Sequence, residues 1–134
     1  MEKHDKPTGD LILRTLAMPA DTNPQGDIFG GWIMSQMDIA GGILARESSC
    51  SRVVTVAVDT ICFIKPVHVG DAVCCYGKVK KIGTTSITIE LEVWVKPALD
   101  QPADTISELR VTKAAFTYVA VDEEGKKQAI DCHR

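Results

Sequence analysis

Hydrophobic and polar residues follow two different periods along this chain, and the periods predict one helix and five strands. From Trp32 to Ala45 the apolar residues recur at helical spacing, with no proline in the segment. Ile39 and Ile43 fall on the side opposite the main apolar stripe, so the helix is apolar nearly all round. Helices of this kind are buried. We therefore expect the rest of the chain to surround it.

The other regular segments have the extended pattern of β-strands. Residues 86–96 alternate, with one apolar face formed by Ile87, Ile89, Leu91, Val93 and Val95. Four more strands are predicted at 11–18, 53–63, 72–82 and 106–121. Residues 97–104, with two prolines, are predicted to form a loop. Short connections between consecutive strands favour an antiparallel meander, and one helix on one curled sheet makes two layers.

Length and composition predict an ordinary soluble globular domain. At 134 residues, we expect one domain over 1–134, with loose tails at 1–9 and 126–134. Charged residues make up 25% and hydrophobic residues 45%. The net charge of −3 argues against nucleic-acid binding. With no apolar run of membrane-spanning length and a polar start, we expect a cytoplasmic protein without membrane insertion.

Cysteine and histidine positions do not indicate a metal site. The five cysteines are odd in number and include no CxxC pair, so we expect reduced thiols. His4, His68 and His133 are isolated, and none has a partner at metal-ligand spacing. We therefore predict no bound metal.

Asp38 is the one charged residue between Asp27 and Arg46. Charged side chains are rarely buried without a partner, so this carboxylate is either satisfied structurally or retained for chemistry. Asn23 supplies a neutral amide in the loop before the helix. Both residue types are suited to a hydrolytic site that lacks a Ser-His-Asp triad.

Two glycines, Gly30 and Gly31, come directly before the helix. Backbone N–H groups at a helix N-terminus are unpaired and carry positive potential, which favours a carbonyl oxygen or an oxyanion. Tight packing is the alternative reason for these glycines. Gly41 and Gly42, inside the helix, each cost about 1 kcal/mol relative to alanine. We expect another backbone to pack closely there.

A basic cluster lies at the end of the third predicted strand. Lys78, Lys80 and Lys81 precede a hydroxyl-rich turn in a chain that is acidic overall. The cluster is suited to binding phosphate groups, or is a solvated strand end.

Five segments carry a family resemblance: 13–38, 52–58, 63–67, 69–71 and 92–96. In them the chain resembles the hotdog-fold acyl-CoA thioesterases of the YciA type, from about Leu11 to Gly125. The first segment, which contains Asn-Pro-Gln-Gly-Asp-Ile-Phe-Gly-Gly-Trp, is highly specific. The resemblance implies an α+β hotdog fold, in which a curved five-stranded antiparallel sheet wraps around one long helix.

The resemblance also implies hydrolysis of acyl-CoA to a free acid and CoA. Family members use the aspartate of the helix, here Asp38, with the asparagine of the preceding loop, here Asn23. The two usually come from different subunits of a homodimer, and dimers often assemble into hexamers as trimers of dimers. Thr55 matches a residue that supports the site in some relatives. Positions that hold CoA in relatives match Val56, Ala57, Val58, Thr85, Ser86 and Ile87.

Three functions are compatible with this pattern. In a thioesterase, Asp38 is a general base or a nucleophile, and the amide of Gly31, with Gly30, holds the oxyanion. CoA is then part of the substrate, no separate cofactor is expected, and Lys80 and Lys81 are candidates for its phosphates. A non-catalytic module that binds or senses acyl-CoA is the alternative. A hydratase is the third, but such enzymes typically use a histidine, and His68 is remote from the helix.

Overall fold

The computed structural model describes residues 6–97 and 108–131. Those residues contain one α-helix, α1 (Gly30–Ser49), preceded by a short 3-10 turn at Pro19–Asp21. The strands are β1 (Asp10–Leu16), β2 (Arg52–Val58), β3 (Ala72–Ile82), β4 (Ser86–Lys96) and β5 (Leu109–Val121). The prediction of one helix and a five-stranded antiparallel sheet is confirmed.

The sheet has the strand order β1-β3-β4-β5-β2, and every pairing is antiparallel. The predicted meander is correct for β3, β4 and β5 and wrong for β2, which pairs with β5 at the edge. The cause is the connection between β2 and β3, which is too long for a hairpin. It runs on beside β5 instead: Asp59 N–H donates to the Ala115 carbonyl (2.9 Å) and Ile64 N–H to the Val111 carbonyl (2.7 Å).

Strand limits match the prediction best in the middle of the sheet. The predicted limits of β3 and β4 are those observed. β2 was predicted to reach residue 63 but ends at Val58, because the Asp59 carboxylate accepts the N–H of Thr60 (2.7 Å) and withdraws it from the ladder. β1 ends at Leu16, ahead of Pro19. The predicted start of β5 at 106, and most of the predicted loop at 97–104, lie outside the described residues.

The core lies between α1 and the inner face of the sheet. The helix contributes Ile33, Met37, Ala40 and Ala45, and β4 contributes its predicted apolar face. Ile87, Ile89 and Leu91 are all fully buried. The outer face of β4 is also covered in part, since Trp94 is buried and its indole N–H donates to Glu92 Oε1 (2.8 Å).

One face of α1 is left uncovered by residues 6–97 and 108–131. Met34, Ile39 and Ile43 are exposed by 37%, 49% and 40%. The prediction that the helix is buried all round is therefore wrong for the single chain. The physical reason is geometric: one layer of five strands packs against one side of a helix and leaves the other side open.

Both predicted loose tails are hydrogen-bonded in their described parts. Thr8 donates from its hydroxyl to Glu92 Oε2 (2.5 Å). At the other end, Gln128 N–H donates to the Ala120 carbonyl (2.9 Å) and Ile130 N–H to the Thr84 carbonyl (2.8 Å). These hydrogen bonds form because backbone groups beside the sheet find partners there.

Candidate active site

Asp38 lies on α1, half-buried, with two hydroxyl groups directed at the same carboxylate oxygen. Thr55 donates from Oγ1 to Asp38 Oδ1 at 2.7 Å. Tyr118 donates from its phenol to the same Oδ1 at 3.0 Å and to the main-chain carbonyl of Asp38 at 3.1 Å. Within the described chain, Oδ2 has no hydrogen-bond partner. Asp38 is therefore structurally supported on one oxygen and free on the other.

Sheet register explains why these two hydroxyls converge. Thr55 on β2 and Tyr118 on β5 are directly paired across the antiparallel ladder, so their side chains lie side by side. The register shifts just after Thr55, which leaves Val56 as the extra residue of a β-bulge. Bulges are frequent next to active sites, because they redirect a side chain at a strand edge.

Gly41 makes room for the tyrosine. A Cβ at this position would collide with the Tyr118 hydroxyl and lie 2.9 Å from Leu91 Cδ1. A Cβ at Gly42 would meet only Tyr118 Cε2, at 3.9 Å. The predicted close approach therefore occurs at Gly41 alone. The prediction that a backbone makes it is wrong, because the neighbours are side chains.

Tyr118 was missed by sequence reasoning. It is 1% exposed, and burial raises the pKa of its phenol, with the Asp38 charge and their hydrogen bond raising it further. The group is thus a neutral donor throughout the pH range of enzymes. Two signals in the sequence could have located it: a buried tyrosine requires a partner for its hydroxyl, and the mid-helix glycines require a large neighbour.

A pocket of about 270 Å³ opens beside Asp38. Helix residues and strand residues line it together: Gly31, Met34, Ser35, Asp38, Thr55, Val58 and Phe116. Of the predicted site residues, the structure thus brings together Asp38, Gly31, Thr55 and Val58. Asp38 is the one charged group in this lining.

The helix begins two residues earlier than predicted, so Gly30 and Gly31 belong to its first turn instead of preceding it. Phe29 is its N-cap and makes no side-chain capping bond. In the part of the chain described, the N–H groups of Gly30 and Gly31 have no hydrogen-bond partner. A Cβ at Gly30 would lie 3.1 Å from the Phe63 ring, so tight packing explains that glycine. A Cβ at Gly31 would meet nothing within 4 Å, so packing inside one chain does not explain it.

Asn23 is not brought to Asp38 within one chain. Its loop closes on itself through the bridge between Thr22 and Ile28. The Asn23 Oδ1 accepts the N–H groups of Gln25 and Asp27, both at 3.0 Å, which fixes the side chain. Asp38 lies about 12 Å along the axis from the start of α1 at 1.5 Å per residue. Asn23 does not line the pocket at Asp38.

Predicted CoA-binding residues fall in three places. Val56, Ala57 and Val58 are exposed on the free edge of the sheet, beside the pocket. Thr85 and Ser86 form the turn between β3 and β4, where their carbonyls accept the N–H groups of Ala120 (2.8 Å) and Gly83 (2.7 Å). The Ile87 side chain belongs to the core and is 0% exposed.

The lysines near this turn differ in their contacts. Lys78 pairs with Glu90 at 3.5 Å. Lys80 and Lys81 are exposed, and neither has an ion pair among the described residues. Both lysines lie on β3, two strands away from β5 in the sheet. At 4.8 Å per strand, the separation between β3 and β5 is about 10 Å.

Cysteine chemistry departs from the prediction at one position. Cys62, Cys74 and Cys75 are free thiols, and burial raises the pKa of Cys75 to about 12. Cys50 is disulfide-bonded, so the prediction of reduced thiols is wrong there. Cys50 is the exposed C-cap residue of α1.

A metal-binding cluster and a membrane-spanning helix are both absent from the described residues. Residues 6–97 and 108–131 contain no group of three or more His, Cys, Asp or Glu side chains placed to hold a metal ion. The one helix in those ranges is not long and apolar enough to cross a bilayer.

A one-layer antiparallel sheet packed on one long helix, with an aspartate of that helix beside the sheet, is the architecture of hotdog-fold hydrolases. Residues 25–99 match the family model of the thioesterase superfamily, and the chain belongs to that superfamily. Among curated proteins it is similar to the acyl-CoA thioester hydrolase YciA of Escherichia coli strain K12. The two are 58% identical over 127 residues, which is 95% of each chain.

Solved structures agree with this assignment. HI0827, a hexameric broad specificity acyl-coenzyme A thioesterase, superimposes with a TM-score of 0.89 at 55% identity, over 96% of this chain and 86% of its own. The acyl-CoA hydrolase of Staphylococcus aureus, solved with butyryl coenzyme A and coenzyme A, gives a TM-score of 0.76 at 26% identity, over 88% and 69% of the two chains. That hydrolase was also solved as two variants, one with an asparagine and one with an aspartate replaced by alanine.

Proposed function

We propose that this chain is an acyl-CoA thioesterase, which hydrolyses the thioester to a carboxylic acid and CoA. One observation of the site carries the proposal: Asp38 lines an open pocket with one oxygen held by two hydroxyls and the other free. A carboxylate held in this way is oriented for chemistry. The names of the relatives, at 58% and 55% identity, supply the substrate class.

Asp38 acts on the thioester carbonyl in one of two ways. As a general base, it takes a proton from water, whose oxygen attacks the carbonyl carbon. As a nucleophile, its own oxygen attacks and forms an anhydride, which water then opens. In both routes the C–S bond breaks, and the CoA thiolate leaves and takes up a proton. The free Asp38 Oδ2 is the reacting atom in either case.

The N-terminus of α1 stabilises the charge that develops on the carbonyl oxygen. Gly31 lines the pocket, and its N–H is unpaired among the described residues. Hydrogen-bond donors aimed at an oxyanion in a site sheltered from water typically account for about 10²–10³-fold in rate. Gly30, whose N–H adjoins it, is the second donor. The absence of a side chain at Gly31 leaves space for the substrate.

Asn23 reaches the site from a second subunit. Its side-chain oxygen is held within its own loop, and it does not line the pocket at Asp38 in its own chain. In the S. aureus hydrolase, the substituted asparagine and aspartate are separated by the same interval as Asn23 and Asp38. A symmetric dimer would place Asn23 of one protomer beside Asp38 of its partner, where its amide orients the water or the carbonyl.

The exposed apolar surface supports this dimer. Met34, Ile39 and Ile43 on α1 lie next to β2, whose Val54 and Val56 are exposed by 47% and 53%. An apolar edge strand with unpaired backbone groups requires a partner, and a second copy of β2 supplies one. HI0827 is hexameric, so we propose that dimers of this chain assemble further as a trimer of dimers.

CoA lies along the exposed sheet edge in this proposal. Val58 lines the pocket, Val56 and Ala57 precede it on the same exposed strand, and together they would carry the pantetheine arm. Thr85 and Ser86 in the turn would contact the nucleotide phosphates. Lys80 and Lys81 lie beside the turn and would contact the same phosphates, since the ammonium groups of these two lysines have no partner among the described residues.

Release of free thiol from acyl-CoA tests the function. The parent protein should release one thiol per thioester consumed, detected with a thiol reagent. Asp38→Ala should reduce kcat by about 10³-fold or more, because it removes the reacting group. Glu47→Ala is the matched control, since Glu47 is an exposed carboxylate on the same helix outside the pocket. An acyl-CoA-binding module would bind the ligand without releasing thiol, and that result would overturn the proposal.

A further inference from the structure

We infer that Tyr118 is a positioning residue, which fixes the carboxylate of Asp38 for hydrolysis, and that Gly41 is required to admit its hydroxyl. The inference rests on the proposed function and adds two residues to it. Neither touches the pocket: Tyr118 is 1% exposed and acts through Asp38. The geometry that supports it involves β5, α1 and β2 together.

The first step concerns the hydrogen bonds of the tyrosine. Its one proton is shared between Asp38 Oδ1 (3.0 Å) and the Asp38 main-chain oxygen (3.1 Å). A donor shared in this way couples the carboxylate to its own helix backbone. It therefore fixes the side-chain torsion of Asp38. With a hydrogen bond to Thr55 alone, the carboxylate could still rotate about that contact.

The second step concerns the two carboxylate oxygens. Thr55 and Tyr118 both donate to Oδ1, so Oδ1 is occupied and Oδ2 is the oxygen left for water or substrate. Donors to a carboxylate also favour its ionised form, which is the form that acts as base or nucleophile. Because burial keeps Tyr118 neutral, this donor persists over the whole working range of the enzyme.

The third step concerns Gly41. It follows Asp38 by one helical turn, on the side that faces β5. A side chain there would occupy the position of the Tyr118 hydroxyl, whereas one at Gly42 would meet only the ring edge at 3.9 Å. The two glycines have almost the same helix propensity cost, so alanine substitutions at the two sites differ mainly in their effect on Tyr118.

The first experiment compares Tyr118→Phe with Tyr76→Phe. Tyr76 also donates to a carboxylate, Glu108 Oε1 (2.8 Å), but away from this pocket. We expect Tyr118→Phe to lower kcat about tenfold, with KM within about twofold, because the lost contact matters for orientation rather than for binding. Tyr76→Phe should change neither constant.

The pH profile separates a positioning role from a structural one. Donors to a carboxylate favour its ionised form, so with one donor lost in Tyr118→Phe the acid limb of kcat/KM should move to higher pH. Tyr118 is the titratable side chain that the described residues place against Asp38, and the pocket lining adds no second one. An acid limb at the parental pH would overturn the inference, even if kcat falls.

Glycine variants test the same contact from the other side. Gly41→Ala should lower kcat and shift the acid limb as Tyr118→Phe does, while Gly42→Ala should do neither. In the Tyr118→Phe background, Gly41→Ala should lower kcat much less than it does in the parent, since the hydroxyl that alanine would displace is already absent. An equal fall in kcat in both backgrounds would show that Gly41 acts independently of Tyr118.

One measurement is independent of hydrolysis. The side-chain carboxyl carbon of Asp38 can be titrated by ¹³C NMR, with assignment by its loss in Asp38→Ala. Its midpoint should rise in Tyr118→Phe and stay unchanged in Tyr76→Phe. An inactive parent would defeat the proposed function alone, whereas an unshifted midpoint would defeat the role of Tyr118 alone.

Discussion

Strands β4 and β2 have similar apolar side chains and opposite surroundings. In β4, Ile87, Ile89 and Leu91 are fully buried, whereas Val54, Val56 and Val58 of β2 are exposed by 47%, 53% and 39%. β4 pairs on both edges and lies under α1, while β2 pairs with β5 and with no other strand of the described residues. The same residue types therefore form the core in one place and an uncovered surface in the other.

The contrast shows that apolar pattern alone does not distinguish a buried core strand from an exposed edge strand. Both strands satisfy the preference of β-branched residues for sheets. Sheet order decides which one is covered, and that order is a long-range property. The site lies at the boundary between the two regions, with Tyr118 in the core and Thr55 on the uncovered strand.

A charge on β2 should have the largest effect on activity. In Val54→Asp, two like charges would face each other at a symmetric edge, so we expect monomers by sedimentation and a loss of at least about 10²-fold in kcat/KM. Val69→Asp, in the connection between β2 and β3, is the control, since Val69 is 40% exposed but lies outside the sheet. A dimeric, active Val54→Asp variant would remove β2 from the interface.

Complementation between two inactive variants tests the shared site directly. Asn23→Ala and Asp38→Ala should each be nearly inactive alone. After joint unfolding and refolding, half of the dimers should be mixed, and each mixed dimer has one intact site. About a quarter of the parental activity should return if the dimer is symmetric. No recovery in verified mixed dimers would mean that both residues come from one chain.

A truncation in β4 should affect stability instead of assembly. Ile89→Ala leaves a cavity in the core, and we expect it to lower the free energy of unfolding by about 2–5 kcal/mol. Urea titration measures this change. The dimer and the kcat at low temperature should remain parental. A change in oligomeric state without a change in stability would contradict the contrast between β4 and β2.

The smallest effect is expected at the exposed lysines. Lys80→Ala with Lys81→Ala should raise KM about two- to fivefold and leave kcat unchanged, because a phosphate contact is the same in the ground and transition states. Raising the salt concentration should reduce the difference from the parent. Lys113→Ala on β5 is a control. An unchanged KM would assign the pair to solvated surface.

Most of the fold could be predicted from local patterns in the sequence. The limits of β3 and β4 were predicted to the residue, β4 from its alternation of apolar and polar positions. Asp38 was identified as the one charge in an apolar helix. Sheet order and the exposed face of α1 were not accessible, because they depend on contacts across the whole chain. The role of Tyr118 was hidden for the same reason: it lies 80 residues from the aspartate that it contacts.

The pairing of β2 with β5 also has a consequence for synthesis on the ribosome. Val58 pairs with Phe116, so β2 leaves the ribosome about 60 residues before its partner strand. At about 5–20 residues per second, that interval is about 3–12 seconds. For that time the valine-rich strand β2 lacks its sheet partner β5, although α1, which precedes β2 in the chain, has already been synthesised.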